Sequence, residues 1–255
     1  MLLVIDVGNT NIVIGAYAGE KLVKNWRIST VHQRSADEIG MFITQLLSYH
    51  GLKKSEIEDV VISSVVPQVM FSLERAINRY LGHIPMIIDA SVQTGITIRY
   101  DNPGEVGADR IVNAVAAHHD YPGKVIVIDF GTATTFCAIT EKAEYLGGVI
   151  CPGIKISLDA LIERTAKLPK IELVKPTQVI GKNTVASMQA GMIYGYAGQI
   201  EYIVKLMKEE MGGGDIIVVA TGGIASLVAE ATNAIDVLDP NLTLKGLRLL
   251  YEHNK

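Results

Sequence analysis

The sequence predicts an α/β fold built from two similar halves, each of order βββαβα, and three observations carry that prediction. An apolar strand runs into Asp, one hydrophobe and Gly twice, in LLVIDVGNTNIVIGAY (Leu2 to Tyr17) and in VIVIDFGTATTFCAIT (Val125 to Thr140), with Asp6 and Asp129 about half a chain apart. Each of these turns is followed by further strand-like runs and then by segments of helical periodicity. The 255 residues are 49% hydrophobic, enough to furnish one large core or two modest ones. The halves are expected over residues 1–115 and 116–255.

In the first half, Leu2 to Val7, Ile12 to Tyr17 and Leu22 to Ile28 read as an antiparallel meander joined by the turn formers Gly8-Asn9 and Gly19-Glu20. Ser35-Ala36-Asp37-Glu38 has the spacing of a capping box, and Ile39, Phe42, Ile43, Leu46 and Leu47 continue at helical period until Gly51. DVVISSVV (Asp59 to Val66) reads as a buried strand. Pro67 suits the first position of the next helix, whose apolar stripe is Val69, Leu73, Ile77 and Leu81, and Pro85 to Asp89 reads as a short strand. The second half repeats this order: strands at Lys124 to Gly131, TATTFCAIT and EYLGGVICPG, a helix around Ile156 to Ala166, a long helical stretch from Thr184 to Met211 interrupted by Gly191, Gly195 and Gly198, a strand over Asp215 to Gly223, and a last helix over Asn241 to Tyr251.

Composition excludes several classes of function. A net charge of −4 with no basic stripe does not suit a protein whose main partner is nucleic acid, and Trp26 and the tyrosines are not interleaved with basic residues. No apolar run approaches the ~20 residues that span a bilayer, and the start lacks the basic and cleavage features of a leader, so a cytoplasmic location is expected. Cys137 and Cys151 lack CxxC spacing and read as ordinary small residues of a reducing compartment. His118-His119-Asp120 resembles a metal triad only in print, because adjacent helical residues point in different directions; it reads as a solvated helix end. Gly212-Gly213-Gly214 precedes a strand and reads as a linker.

The Asp-x-Gly turns have a chemistry of their own. A tight glycine turn presents successive backbone N–H groups to phosphate oxygens, Gly8 permits a positive φ and close approach, and Asp6 at the strand end can organise Mg²⁺ directly or through water. Asn9, Thr10 and Asn11 add short hydrogen-bonding side chains. The same residues are also ordinary hairpin chemistry. A second copy favours the phosphate reading, since a cleft between duplicated halves needs one turn from each side, with Gly131-Thr132 gripping phosphates and Asp129 holding a cation.

With VVATGG (Val218 to Gly223), the two turns resemble the phosphate and adenosine motifs of the superfamily of acetate and sugar kinases, hexokinase, heat-shock ATPases and actin, which implies a duplicated ribonuclease H-like fold. YDNPGEVGADRIVNA (Tyr100 to Ala114) is similar to the NPxxVGADR segment of the type III pantothenate kinases. DVGNTN, DFGTATT, GGVICPG (Gly147 to Gly153) and Asn183-Thr184 follow in that family's order, so the resemblance spans essentially the whole chain.

The resemblance implies ATP-dependent phosphorylation of the primary hydroxyl of pantothenate, with Mg²⁺ and a monovalent cation, potassium or ammonium. By the same resemblance Asp109 is the proton acceptor, and Tyr100, Gly107, Ala108, Asp109, Arg110 and Thr184 contact pantothenate. Asp6, Val7, Gly8, Asn9, Thr10, Asn11, Ile12, Val13 and Thr132 serve ATP, and Asp129 holds the monovalent cation. On spacing alone Asp109 reads as a cap of the helix Ala108 to His119, and only the resemblance makes it the acceptor; the positive end of that helix is expected to keep it ionised. Arg110 offers a planar fork suited to a carboxylate. The long helix, apolar around much of its circumference, needs two partners; the resemblance implies a homodimer paired through it, with Thr184 near the substrate.

Overall fold

The computed structural model describes all of residues 1–255. In chain order the elements are β1 (Leu2–Val7), β2 (Asn11–Ala18), β3 (Lys21–Ser29), α1 (Ala36–Tyr49), β4 (Asp59–Ser64), α2 (Pro67–Ala76), β5 (Met86–Ile87), β6 (Thr97–Ile98) and α3 (Ala108–Asp120). They continue with β7 (Lys124–Phe130), β8 (Ala133–Ile139), β9 (Glu144–Pro152), α4 (Ile154–Glu163), α5 (Thr184–Glu210), β10 (Ile216–Gly222), α6 (Ala225–Ala229), β11 (Val237–Leu238) and α7 (Leu242–Asn254).

These elements form two compact units, one of Met1–Ile96, Asn102–Ala116 and Leu242–Lys255, the other of Thr97–Asp101 and Ala117–Asn241. The chain passes from the first unit to the second between Ala116 and Ala117, within α3. The closing helix α7 packs with the first unit although it is last in sequence.

Each unit contains one sheet, and the two share a topology. The first has strand order β3-β2-β1-β4-β5 and the second β11-β10-β7-β8-β9-β6. In both, the first strand lies antiparallel to the second (β1 to β2, β7 to β8) and parallel to a later crossover strand (β1 to β4, β7 to β10). The βββαβα duplication expected from the sequence is therefore the arrangement adopted, with β5, β6 and β11 as two-residue additions at sheet edges.

Local chemistry explains where the elements begin and end. Ser35 and Glu38 form the full capping box at the start of α1, and Gly51 follows its end with φ 73°. Pro67 opens α2, which passes into a π-helical turn over Ile77–Leu81 and stops at the left-handed Gly82. The glycines of α5 do not interrupt it: all 27 residues are helical.

Alternation along β1 divides its side chains between two cores. Leu3, Ile5 and Val7 pack with Ile39, Ile43 and Leu47 of α1 and Val69 and Leu73 of α2. Val4 points the other way and packs with Val61, with Val112 of α3, and with Leu244, Leu247 and Leu250 of α7. The first sheet thus has both faces covered, the second of them by a helix from the far end of the chain. In the other unit Ile126, Ile128 and Phe130 of β7 pack with Ile200, Val204 and Met207 of α5. Cys137 and Cys151 are both free thiols. No helix is long and apolar enough to cross a membrane.

Leu247 is fully buried in the α7 layer. Leu247→Ala is expected to lower stability by about 2–5 kcal/mol in equilibrium urea unfolding. A loss below about 1 kcal/mol would mean that α7 is not an integral layer of the first unit.

Candidate functional site

In the first unit the candidate residues gather at the carboxyl ends of β1 and β4, where open α/β sheets commonly bind ligands. Asp6 is half-buried and pairs in register with Val13 on β2 and Ser63 on β4. It shares the face of Val4, the face that carries α3 and α7. The β1–β2 turn closes through the Gly8 N–H donating to Asn11 O at 3.0 Å. Gly8 does not use left-handed backbone, contrary to expectation; the constraint there is proximity, since a β-carbon would lie 3.2 Å from Asn11 O. Asn9 and Thr10 are exposed, whereas the side chains of Val7 and Ile12 are buried in the core, leaving their backbone as the part able to meet a ligand.

Thr30, which the sequence reading passed over, pins this turn from β3. Its hydroxyl donates to Gly8 O at 2.6 Å and its N–H to Thr10 O at 2.9 Å. The signal was available in the hairpin register: with Asn11 opposite Ser29, residue 30 must fall beside the turn.

The start of α3 lies at the same end of the first sheet. The Val65 N–H donates to Val7 O at 3.1 Å, and a β-carbon placed on Gly107 would stand 3.7 Å from Val65 Cγ1. Gly107, Ala108 and Asp109 are half-buried and Arg110 is 7% exposed. Asp109 Oδ1 accepts the Arg110 backbone N–H at 2.8 Å, so Asp109 does help to cap its helix. The helix start and burial act on Asp109 in opposite senses. Burial pushes the carboxyl above its ordinary value of 3.8, outweighing the Arg110 N–H, the Arg110 guanidinium and its own N–H, which all act downward.

In the second unit, Asp129 is half-buried at the end of β7, in register with Thr135 on β8 and Thr221 on β10. Gly222, with φ 97°, lies against it: a β-carbon there would be 2.7 Å from Asp129 Oδ1 and 2.6 Å from Phe130 O. The β7–β8 turn repeats the first one, with the Gly131 N–H donating to Ala133 O at 3.1 Å and Thr132 exposed. Gly153 clamps it through an N–H to Thr132 O at 3.0 Å, an approach so close that a β-carbon would fall 2.3 Å from that oxygen. Tyr196 ties the same region together by donating to Pro152 O at 2.9 Å and meeting the Ser157 hydroxyl at 2.7 Å.

Tyr100 follows the edge strand β6, with its ring over Gly147 and edge-on to Tyr145 at 6.2 Å between centroids. Thr184 is exposed in the first turn of α5, whose N-cap Asn183 accepts the Ala186 N–H at 2.9 Å. Beside that turn an open groove of about 620 Å³ is lined by Val179, Ile180, Gly181, Ser187, Ala190, Gly191, Tyr194 and Gly195.

The donor set suits nucleotide chemistry. No group of three or more His, Cys, Asp or Glu side chains is arranged to hold a metal. Each unit instead offers a single carboxylate at a strand end beside a backbone turn, the pattern that fits an ion shared with phosphate oxygens.

Comparison with known proteins identifies the family and the fold. The sequence model of the type III pantothenate kinase family matches residues 2–206. Among solved structures, a Campylobacter jejuni protein assigned to the Baf family of transcriptional activators is 19% identical, with 99% of this chain and 98% of that one covered and a TM-score of 0.58. Component A of the (R)-2-hydroxyglutaryl-CoA dehydratase of Acidaminococcus fermentans is 13% identical over 98% of this chain and 96% of its own, with a TM-score of 0.56. The ROK hexokinase of Thermus thermophilus is 14% identical over 100% and 99%, with a TM-score of 0.53. These likenesses show the duplicated actin-like ATPase and sugar-kinase fold.

If the β1–β2 turn carries nucleotide phosphates, Thr30→Val should raise the dissociation constant for ATP by about five- to tenfold, the loss of one hydrogen bond of about 1–1.5 kcal/mol. Calorimetric titration checks this, and unchanged affinity in a folded variant would separate Thr30 from nucleotide binding.

Proposed function

The chain belongs to the type III pantothenate kinase family, and on that premise we propose that it transfers the γ-phosphoryl group of ATP to the primary hydroxyl of pantothenate, the first step of coenzyme A synthesis. The observation that carries the reading is Asp109: a half-buried carboxylate at the head of α3, at the end of the first sheet where Asp6 and the β1–β2 turn also lie.

Phosphoryl transfer asks little covalent chemistry of the protein beyond alignment, charge stabilisation and an acceptor for the alcohol's proton. In this reading the backbone from Asp6 to Val13 and, in the other unit, that of Thr132 would receive the phosphates, and Asp6 would position a phosphate-bound Mg²⁺. Asp129 would hold a potassium or ammonium ion, whose positive charge would offset the negative charge of the phosphates. Arg110 takes the pantothenate carboxylate with its fork, and family resemblance assigns further substrate contacts to Gly107 and Ala108 in the first unit and to Tyr100 and Thr184 in the second. Asp109 accepts the proton as the hydroxyl attacks. A carboxyl whose affinity for protons is raised by burial is better matched to that task near neutral pH than an ordinary Asp.

A homodimer paired through α5 is part of the same reading. One face of that helix is buried through Met188, Ile193, Ala197, Ile200 and Val204. The face bearing Gly191, Gly195 and Gly198 is exposed, and Ile180 and Tyr202 are 82% and 63% exposed. Small residues on an outward helix face permit close approach of a second helix, and two-fold pairing is the commonest closed symmetry.

Steady-state assays with ATP, Mg²⁺, potassium and pantothenate test the reading. Asp109→Asn is expected to lose on the order of 10²–10⁴-fold in turnover with ATP binding retained; a variant keeping more than about a third of the wild-type rate would remove Asp109 from the mechanism. In the wild type the acidic limb of kcat/KM should lie above the ordinary Asp value of 3.8, because the base must be deprotonated and its folded-state value is raised. An acidic limb at or below 3.8 would contradict that. Asp129→Ala should abolish both the response to potassium and most activity, and full wild-type activity with sodium alone would count against a cation there. Light scattering should give twice the 27.6 kDa chain mass; a fully active monomer would refute the pairing.

A further inference from the structure

Gly107 has an ordinary φ, so the backbone does not call for glycine there, whereas at Gly222 it does. What calls for it is a neighbour. A β-carbon on residue 107 would stand 2.6 Å from Asp109 Oδ1, closer than β-carbons approach other atoms. That same Oδ1 accepts the Arg110 N–H at 2.8 Å. The carboxylate is folded back over residue 107 and held by the first turn of α3. The position before a first helical residue ordinarily favours Ser, Thr, Asp or Asn, whose side chains cap the free N–H groups. Here Asp109 takes the Arg110 N–H and residue 107 carries no side chain at all. Gly104, in the same segment, shows nothing comparable: a β-carbon there would meet Asn102 Oδ1 at an ordinary 3.5 Å.

We propose that Gly107 is a positioning residue for phosphoryl transfer: its missing side chain leaves the niche in which the Asp109 carboxylate is held against the Arg110 N–H, and this sets the direction from which the base meets the hydroxyl. The inference rests on the reading of Asp109 as the proton acceptor. Any side chain at residue 107 displaces Oδ1 from its N–H donor. The charged group acting on Asp109 is the guanidinium of its neighbour Arg110, and the side chain nearest the niche from the end of β4 is the apolar Val65. With the Arg110 N–H lost and burial retained, the carboxyl must bind its proton more tightly still.

The test compares Gly107→Ala and Gly107→Ser with Gly104→Ala and Asp109→Asn. Ser is a strong helix cap, so Gly107→Ser guards against a variant that merely fails to fold. Two readouts are taken: the pH profile of kcat/KM for pantothenate, and the ¹³C carboxyl titration of Asp109, identified as the resonance missing from Asp109→Asn. Both Gly107 variants should bind ATP normally and lose on the order of 10²-fold in kcat/KM, as misplacement by about 1 Å does. Their acidic limb and their Asp109 titration should both move to higher pH, with Gly104→Ala at the wild-type position. Folded Gly107 variants with an unmoved titration and an unmoved limb would overturn the inference while Asp109→Asn remained inactive. An active Asp109→Asn would instead overturn the base assignment and, with it, the catalytic role given to Gly107.

Discussion

The parallel pairing of a first strand with its crossover strand is the constraint from which the rest of each unit follows. A parallel neighbour requires a long crossover, which carries α1 back over one face of the first sheet and α5 over one face of the second; the other face of the first sheet takes α3 and α7. The centres of β1, β4, β7 and β10 are accordingly buried. Polar chemistry is then pushed to the ends, and the same pairing brings a hydroxyl residue alongside each acid: Ser63 beside Asp6 and Thr221 beside Asp129. The antiparallel second strand returns at that same end, so the glycine turn lies next to the carboxylate in both units.

Two opposing effects set the state of the acid proposed as the base. The head of a helix stabilises a negative charge, and the Arg110 N–H does so directly. Burial acts against the charge and is the larger effect. A general acid–base group profits from that balance, since an Asp left in water would be too weak a proton acceptor near neutral pH. Burial supplies the basicity and the hydrogen bond supplies the orientation. The two come from different parts of the first unit, the packing around α3 and its first turn.

Local signals made much of this fold legible in the sequence. The Ser35 to Glu38 box, Pro67 at a helix start and the apolar runs of β1 and β2 joined by the Gly8-Asn9 turn each act within a few residues, and the structure places the elements accordingly. The edge strands β6 and β11 were not legible because two residues carry no period. The apolar stripe of α7 announces a buried face, but it cannot say whose core receives it. Its place on the first sheet follows from Gly246, where a β-carbon would fall 2.1 Å from Val112 O on α3. Glycines at 191, 195 and 198 read as interruptions, yet each costs only about 1 kcal/mol in a helix and the buried Met188, Ile193, Ile200 and Val204 offset it. Within the candidate site the acids and turns were legible as motifs. The raised proton affinity of Asp109 was not, because burial is a property of the assembled unit, and Thr30 was missed because its role depends on hairpin register.

The central claim concerns where the phosphoryl group goes, and the chemistry of pantothenate allows a direct answer. Pantothenate carries a primary hydroxyl, a secondary hydroxyl and a carboxylate, and a kinase of this fold could in principle phosphorylate any of them. The measurement is a ¹³C spectrum of pantothenate labelled at its hydroxymethyl carbon, recorded during turnover with ATP. A signal split by coupling to phosphorus, growing in step with ADP, is the result the account predicts. ADP formation with that carbon unsplit, or a product that hydroxylamine traps as an acyl phosphate, would contradict it.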